Sequence, residues 1–142
     1  MNASKILPGL FQGGQPESAR AVTEAGFEWL ILCAREVQPP SAALGTLQRV
    51  RCPLDDTLEP ISDTDWRMVW QTAHHVAHRV EEHEACLVTC AQGRNRSGLV
   101  TGVALHLLTG WDGERVVQHI QKRRDNALTN SRFADTLRQL RA

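Results

Sequence analysis

CLVTCAQGRNRSGLVTGVALHLL, residues 86–108, decides the fold. Leu87-Val88-Thr89 is a short apolar run that reads as a buried strand. The chain then turns through Cys90, Ala91, Gln92, Gly93, Arg94, Asn95 and Arg96 and enters a helical pattern from Ser97 onward. A loop of this length between a strand end and a helix start gathers backbone N–H groups at the positive end of the helix dipole, which makes an anion cradle. It is not a nucleotide-binding loop, because the Gly-Lys-Ser/Thr run that such a loop needs has no Lys here. Instead Cys90 opens the loop and Arg96 closes it, five residues intervening. The dipole, the amides and the guanidinium all favour the thiolate and make Cys90 a nucleophile near neutral pH. Arg96 offers a planar fork of donors that matches two oxygens of a phosphoryl group. Gly93 lets the backbone bend where a Cβ would crowd a bound anion, and the Ser97 hydroxyl is in reach of the Cys90 sulfur.

Cys90, the five residues after it, Arg96 and Ser97 resemble the loop of the cysteine-dependent protein tyrosine phosphatase superfamily, and most closely its small dual-specificity branch. The resemblance runs from Ile6-Leu7-Pro8-Gly9-Leu10 to the last helix. It implies an α/β fold of three layers, with a central, mostly parallel sheet of four to five strands flanked by helices. It also implies a phosphoric monoester hydrolase working through a phosphocysteine, with a dual-specificity or tyrosine protein phosphatase as the leading form. Cys90 matches the nucleophile, Arg96 the phosphate-binding arginine and Ser97 the hydroxyl that eases thiolate departure, and no metal or organic cofactor is required. One position departs from the pattern. The family's His before the nucleophile, which orients the loop, is Thr89 here, and Asn95 is the nearest candidate to supply the missing donor.

With 142 residues, 42% hydrophobic and 23% charged, the chain is read as one globular catalytic domain spanning 1–142. Sixteen basic and sixteen acidic residues cancel, but unevenly: residues 1–89 hold 7 basic and 12 acidic groups, residues 90–142 hold 9 and 4. A C-terminal part positive by five suits an anionic substrate and is too local a bias for general nucleic-acid binding. Cys33, Cys52, Cys86 and Cys90 read as thiols of a reducing compartment rather than a disulfide framework. No apolar run is long enough to span a membrane and no signal-peptide pattern opens the chain, so the expected setting is cytoplasmic.

In chain order, residues 6–14 (ILPGLFQGG) read as one short strand broken at Pro8-Gly9. Residues 15–18 open a helix that stops at Gly26. Residues 27–33 form a central strand, a loop with a short helix from Ser41 follows, and 47–52 form another strand. Arg35 and Glu36 read as a solvated pair rather than pocket residues. The acidic loop after the second of these strands holds the expected general acid: Asp56, 34 residues before Cys90, with Asp55 its close competitor. Ser62 or Asp63 caps a long helix whose stripe is Trp66, Val69, Trp70, Ala73, Val76, Ala77 and Val80. His74, His75, His78 and His83 have helical spacing but no companion ligands, so a metal site is not expected. Asp112 caps a helix running to about Arg124, and Asn130 or Thr129 caps the last one. The run Lys122-Arg123-Arg124 faces either the rim of the site or solvent.

Three other readings fit less well. A phosphate-binding module without turnover has no use for Cys90, Arg96, Ser97 and Asp56 together. An arsenate reductase carries its loop near the N-terminus, and a sulfurtransferase gives no role to the closing Arg-Ser or to the distant aspartate. The expected partner is a phosphorylated protein or a small anionic phosphate ester, including an RNA 5′-phosphate, nucleotide or inositol phosphate, handled by a monomer away from membranes. Arg94 at the loop mouth favours a multiply charged substrate.

Overall fold

Pro8 and Gly9 make the first turn of the chain rather than an interruption in one strand. The computed structural model describes residues 1–142, and in it residues 6–14 belong to two antiparallel strands, β1 (Ala3–Leu7) and β2 (Leu10–Gly13), with Leu7 opposite Leu10. Pro8 presets its own φ and Gly9 takes φ 85°, which only glycine adopts cheaply, so the pair closes a tight turn. The chain continues through α1 (Ala19–Glu24), β3 (Trp29–Ala34), α2 (Ser41–Leu44), β4 (Gln48–Leu54), α3 (Asp63–Glu81), β5 (Cys86–Thr89), α4 (Arg96–Thr109), α5 (Gly113–Arg123) and α6 (Ser131–Arg138).

The five strands lie in the order β1-β2-β5-β3-β4, parallel except for β1. This is the expected mostly parallel sheet between two helical layers. β4 extends past the expected end at Cys52 and includes Pro53. The sheet order explains why: β4 is an edge strand, where a residue without an N–H costs no ladder bond.

Side-chain alternation along the inner strands assigns the layers. Leu30, Leu32 and Leu87 point to one face and pack with Val22 of α1, Leu44 of α2, Phe27 and Leu47. Ile31, Cys33, Cys86 and Val88 point to the other face, into the larger core formed with α3 to α6. α4 is buried along its first ten residues, Arg96 to Leu105, so it runs through the middle of that layer. Four helices begin at side-chain caps: Ser18 accepts from the Ala21 N–H, Ser62 from Asp65, Asp112 from Arg115, and Asn130 from Phe133. No helix is long and apolar enough to cross a membrane.

Candidate active site

β5 ends at Thr89 and α4 begins at Arg96, so residues 90–95 bridge the C-terminal edge of the sheet and the N-terminus of the buried helix. A hollow of about 360 Å³ opens there. Its walls include Cys90, Ala91, Gln92, Arg94, Asn95, Arg96, Asp56, Glu36 and Thr129. Gly93 and Ser97 lie beneath it, both buried. Gly93 holds φ 71°, but a Cβ there would meet the backbone of Gly13 at 2.3 Å. Glycine is therefore required by the close approach of β2, not by crowding of an anion.

The backbone N–H groups of residues 91–95 donate to no protein acceptor. Asn95, which precedes α4, makes no capping bond to it. A run of unpaired amides at the start of a buried helix is a site for negative charge. Cys90 is 6% exposed, and its Sγ sits 3.2 Å from Ser97 Oγ. Gln12 of β2 donates its amide to Ser97 Oγ at 3.3 Å and to the carbonyls of Gly93 at 3.0 Å and Arg94 at 3.4 Å. Because Ser97 Oγ accepts from Gln12, its own hydrogen is free for the Cys90 sulfur when that is a thiolate.

Arg96 is 5% exposed and spends three of its five donors on protein. Nη1 donates to Glu36 Oε1 and, at 3.1 Å, to the Leu54 carbonyl; Nη2 donates to Glu36 Oε2 at 2.7 Å. Nε is buried and has no partner. The unspent donors, Nε–H and the second Nη2 hydrogen, share one edge of the planar group and form a second fork. Glu36 is therefore part of the site and not half of a solvated pair with Arg35, because its carboxylate meets the guanidinium that closes the loop. The Arg96 bond holds the Glu36 carboxyl far below its ordinary value, at about 2, and the same bond raises Arg96. Arg35 pairs with Asp55, 3.1 Å away and exposed.

That pairing separates the two candidate acids. Asp55 is drawn outward to Arg35, while Asp56 faces the hollow with Cys90 and Arg96. Each oxygen of Asp56 accepts from an amide: Oδ2 from Asn95 at 3.1 Å and Oδ1 from Asn130 at 2.7 Å. Asn130 also reaches the Thr57 carbonyl at 3.0 Å, and Asn95 Oδ1 accepts from the Asn130 N–H at 2.8 Å. Asn95 thus serves Asp56 and α6, and it is not the substitute for the missing imidazole. Thr89 is not one either, since its hydroxyl donates across the sheet to the Ile31 carbonyl at 2.8 Å.

The loop carbonyls are held by Gln12 and by Arg124, neither of which local pattern singled out. Arg124 Nε donates to the Gly93 carbonyl at 2.6 Å and Nη2 to the Gln92 carbonyl at 3.1 Å. Of the basic run 122–124, only Arg124 turns inward, at 7% exposed. A polar residue in the middle of a short inner strand was the available signal for Gln12. Arg124 was marked only as the end of the basic run 122–124, for which local pattern left rim and solvent both open.

No protein-family model matches the chain, and no curated protein matches it. Solved structures do. Human DUSP28 is 27% identical over 98% of this chain and 92% of its own, with a TM-score of 0.77. DUSP15 is 23% identical over 97% and 86%, with a TM-score of 0.81. Tk-PTP in its active form is 18% identical over 98% and 95%, with a TM-score of 0.82. At their lower identities the last two speak for the fold alone. With the loop geometry above, this likeness defines the chain as a cysteine-dependent phosphatase. DUSP28, the one of these three above a quarter identity, resembles the chain over nearly the whole length of both.

Proposed function

We propose that the chain hydrolyses phosphate monoesters on proteins through a phosphocysteine formed on Cys90. The Cys90 thiolate attacks phosphorus in line, forming the S–P bond as the bond to the leaving oxygen breaks. The amides of residues 91–95 and the free edge of Arg96 hold the equatorial oxygens, where negative charge is concentrated. Asp56 supplies the proton to the departing phenol or alcohol. Water then attacks phosphorus, its proton passes to the Asp56 carboxylate, and the S–P bond breaks as the Ser97 hydroxyl donates to the leaving thiolate. The observation that carries this reading is the buried, unpartnered Arg96 Nε beside five unpaired amides. A buried donor such as Arg96 Nε costs about 1–3 kcal/mol when left unsatisfied, and a bound phosphoryl group satisfies it together with the loop amides.

Three further features belong to the same reading. Residues 1–142 act as one catalytic domain and as a monomer. A reducing, cytoplasmic setting is supported by four cysteines that all stand as free thiols. The leading substrates are phosphotyrosyl and phosphoseryl or phosphothreonyl proteins.

The test is turnover of an aryl phosphate, followed by a panel of phosphopeptides, phosphoinositides and RNA 5′-triphosphate. Cys90→Ser is expected to abolish turnover while keeping the fold. Arg96→Lys should lose roughly a hundredfold to a thousandfold, because a point charge cannot replace two parallel donors. Full activity in Cys90→Ser would remove the nucleophile assignment, and activity confined to a non-protein ester would move the substrate class.

A further inference from the structure

Each loop carbonyl from Ala91 to Arg94 accepts a hydrogen bond. The Gln15 N–H donates to Ala91 at 3.3 Å and the Leu128 N–H to Arg94 at 2.9 Å. Gln12 and Arg124 share the Gly93 carbonyl, whereas the Gln92 carbonyl is held by one side chain alone, Arg124 through Nη2 at 3.1 Å. A trans peptide unit is planar and points its C=O and N–H in opposite directions. Holding these carbonyls therefore aims the N–H groups of residues 92–95 the other way, where they meet no protein acceptor. Arg124 is in turn aimed from outside the site. Its Nη1 donates to Ser4 Oγ at 3.0 Å, and Nη2 gives its other hydrogen to Asn2 Oδ1 at 2.8 Å. The end of β2 is shaped to receive Asn2, whose carbonyl accepts from the Gly14 N–H at 3.0 Å. A Cβ on Gly13 would lie 2.4 Å from that carbonyl oxygen, and one on Gly14 would lie 2.9 Å from Asn2 Nδ2. The same Gly14 position is 3.5 Å from the backbone of Ala91 and Gln92, so Asn2 and the catalytic loop close on one glycine.

We propose that Asn2 is a positioning residue for phosphate binding and transfer at Cys90. By fixing Arg124 it holds the Gln92 carbonyl and keeps the Gly93 N–H aimed at the phosphoryl oxygens. The inference rests on the phosphatase reading of the hollow. Asn2 does not line that hollow, so it acts through Arg124 and not on the substrate. An amide donor stabilises developing charge only while it is held in the right direction before the reaction begins. Every acceptor that Arg124 meets is neutral, so a carboxylate in place of the Asn2 amide would serve it as well. Asn2 is exposed and belongs to neither hydrophobic core, which lets it be changed without opening a cavity.

The experiment compares Asn2→Ala, which removes the acceptor, with Asn2→Asp, which keeps one. Turnover of an aryl phosphate is measured in the wild type and both variants, together with the thermal unfolding of each. Affinity for inorganic phosphate is measured for the same three on the Cys90→Ser background, where turnover plays no part. Asn2→Ala is expected to lose about tenfold in kcat/KM and to bind phosphate about threefold to tenfold more weakly, as for one misdirected hydrogen bond to a charged group. Its Tm should stay within about 4 °C of the wild type. Asn2→Asp should remain within about threefold of the wild type in both kcat/KM and phosphate affinity. Wild-type kcat/KM in Asn2→Ala would overturn the proposal and leave the phosphatase reading standing. So would equal losses in the two variants, because the acceptor would then not be what matters. A kcat/KM loss accompanied by a lower Tm and unchanged phosphate affinity would mark Asn2 as merely structural and overturn the proposal too. If the wild type turns over no ester and Cys90→Ser binds no phosphate, the phosphatase reading fails and the role of Asn2 falls with it.

Discussion

Gln12 sits where an apolar residue would cost less. It is fully buried in β2, and its Oε1 has no partner although its amide nitrogen reaches three acceptors around the loop. An orphaned buried acceptor destabilises by about 1–3 kcal/mol, so the residue is kept for what the nitrogen does. Gln12→Leu is therefore expected to fold at least as stably as the wild type yet lose roughly tenfold to a hundredfold in kcat, because Ser97 and the Gly93 carbonyl lose their donor. Thr89→Val should show the reverse pattern. Its hydroxyl serves the Ile31 carbonyl, so stability falls by about 1 kcal/mol and kcat stays within about threefold. Denaturant unfolding and steady-state kinetics on both variants check the pair. A large kcat loss in Thr89→Val would return the loop-orienting role to the position where relatives carry His.

At the scale of elements, the acid loop is stapled to the start of α6. Asn130 caps that helix through Oδ1 while its amide holds Asp56 and the Thr57 carbonyl, and Arg132 reaches the Leu58 carbonyl at 3.1 Å. Asn130→Ser keeps a capping oxygen but removes the donor to Asp56. It should lower kcat about tenfold for phosphotyrosine, whose leaving group needs a proton, and much less for an aryl phosphate with an acidic leaving group. Equal losses on both substrates would mean that Asn130 acts on the fold and not on Asp56. The cap itself was legible in the sequence, because capping is a contact over three residues in a fixed pattern. The reach to Asp56, 74 residues away, was not. The same holds for Arg124, whose partners lie at Gly93 and Asn2. Periodicity placed it at the end of α5 without saying which way its side chain turned.

Across the whole molecule, charge is arranged around one end of the sheet. The basic C-terminal part supplies Arg94, Arg96, Arg123 and Arg124, and the acidic N-terminal part supplies Glu36 and Asp56. Glu36 ties the two parts together through Arg96, and its folded value of about 2 lies below the ordinary 4.5. A depressed carboxyl contributes stability that is complete above the unfolded value and is lost as pH falls through the folded one. The stability gap between wild type and Glu36→Gln should thus be constant above about pH 5 and shrink between about pH 4.5 and 2. A gap that does not change with pH would show that Glu36 contributes no charge-dependent stability. The parallel inner strands, the long helix and the Cys-to-Arg loop were legible at this scale because each rests on local period or spacing. The opening hairpin was not, since Pro8-Gly9 reads equally as a break or a turn until β2 is seen to pair with β5.

The central claim is that phosphate passes through Cys90, and rapid acid quench with peptide mass analysis tests it most directly. Asp56→Asn mixed with an aryl phosphate of low leaving-group pKa should form the intermediate without help from the acid and hydrolyse it slowly for want of a base. A phosphoryl group is expected on the peptide containing Cys90, accumulating in Asp56→Asn above its level in the wild type and absent from Cys90→Ser. Turnover with no adduct, or an adduct on any other residue, would contradict the claim.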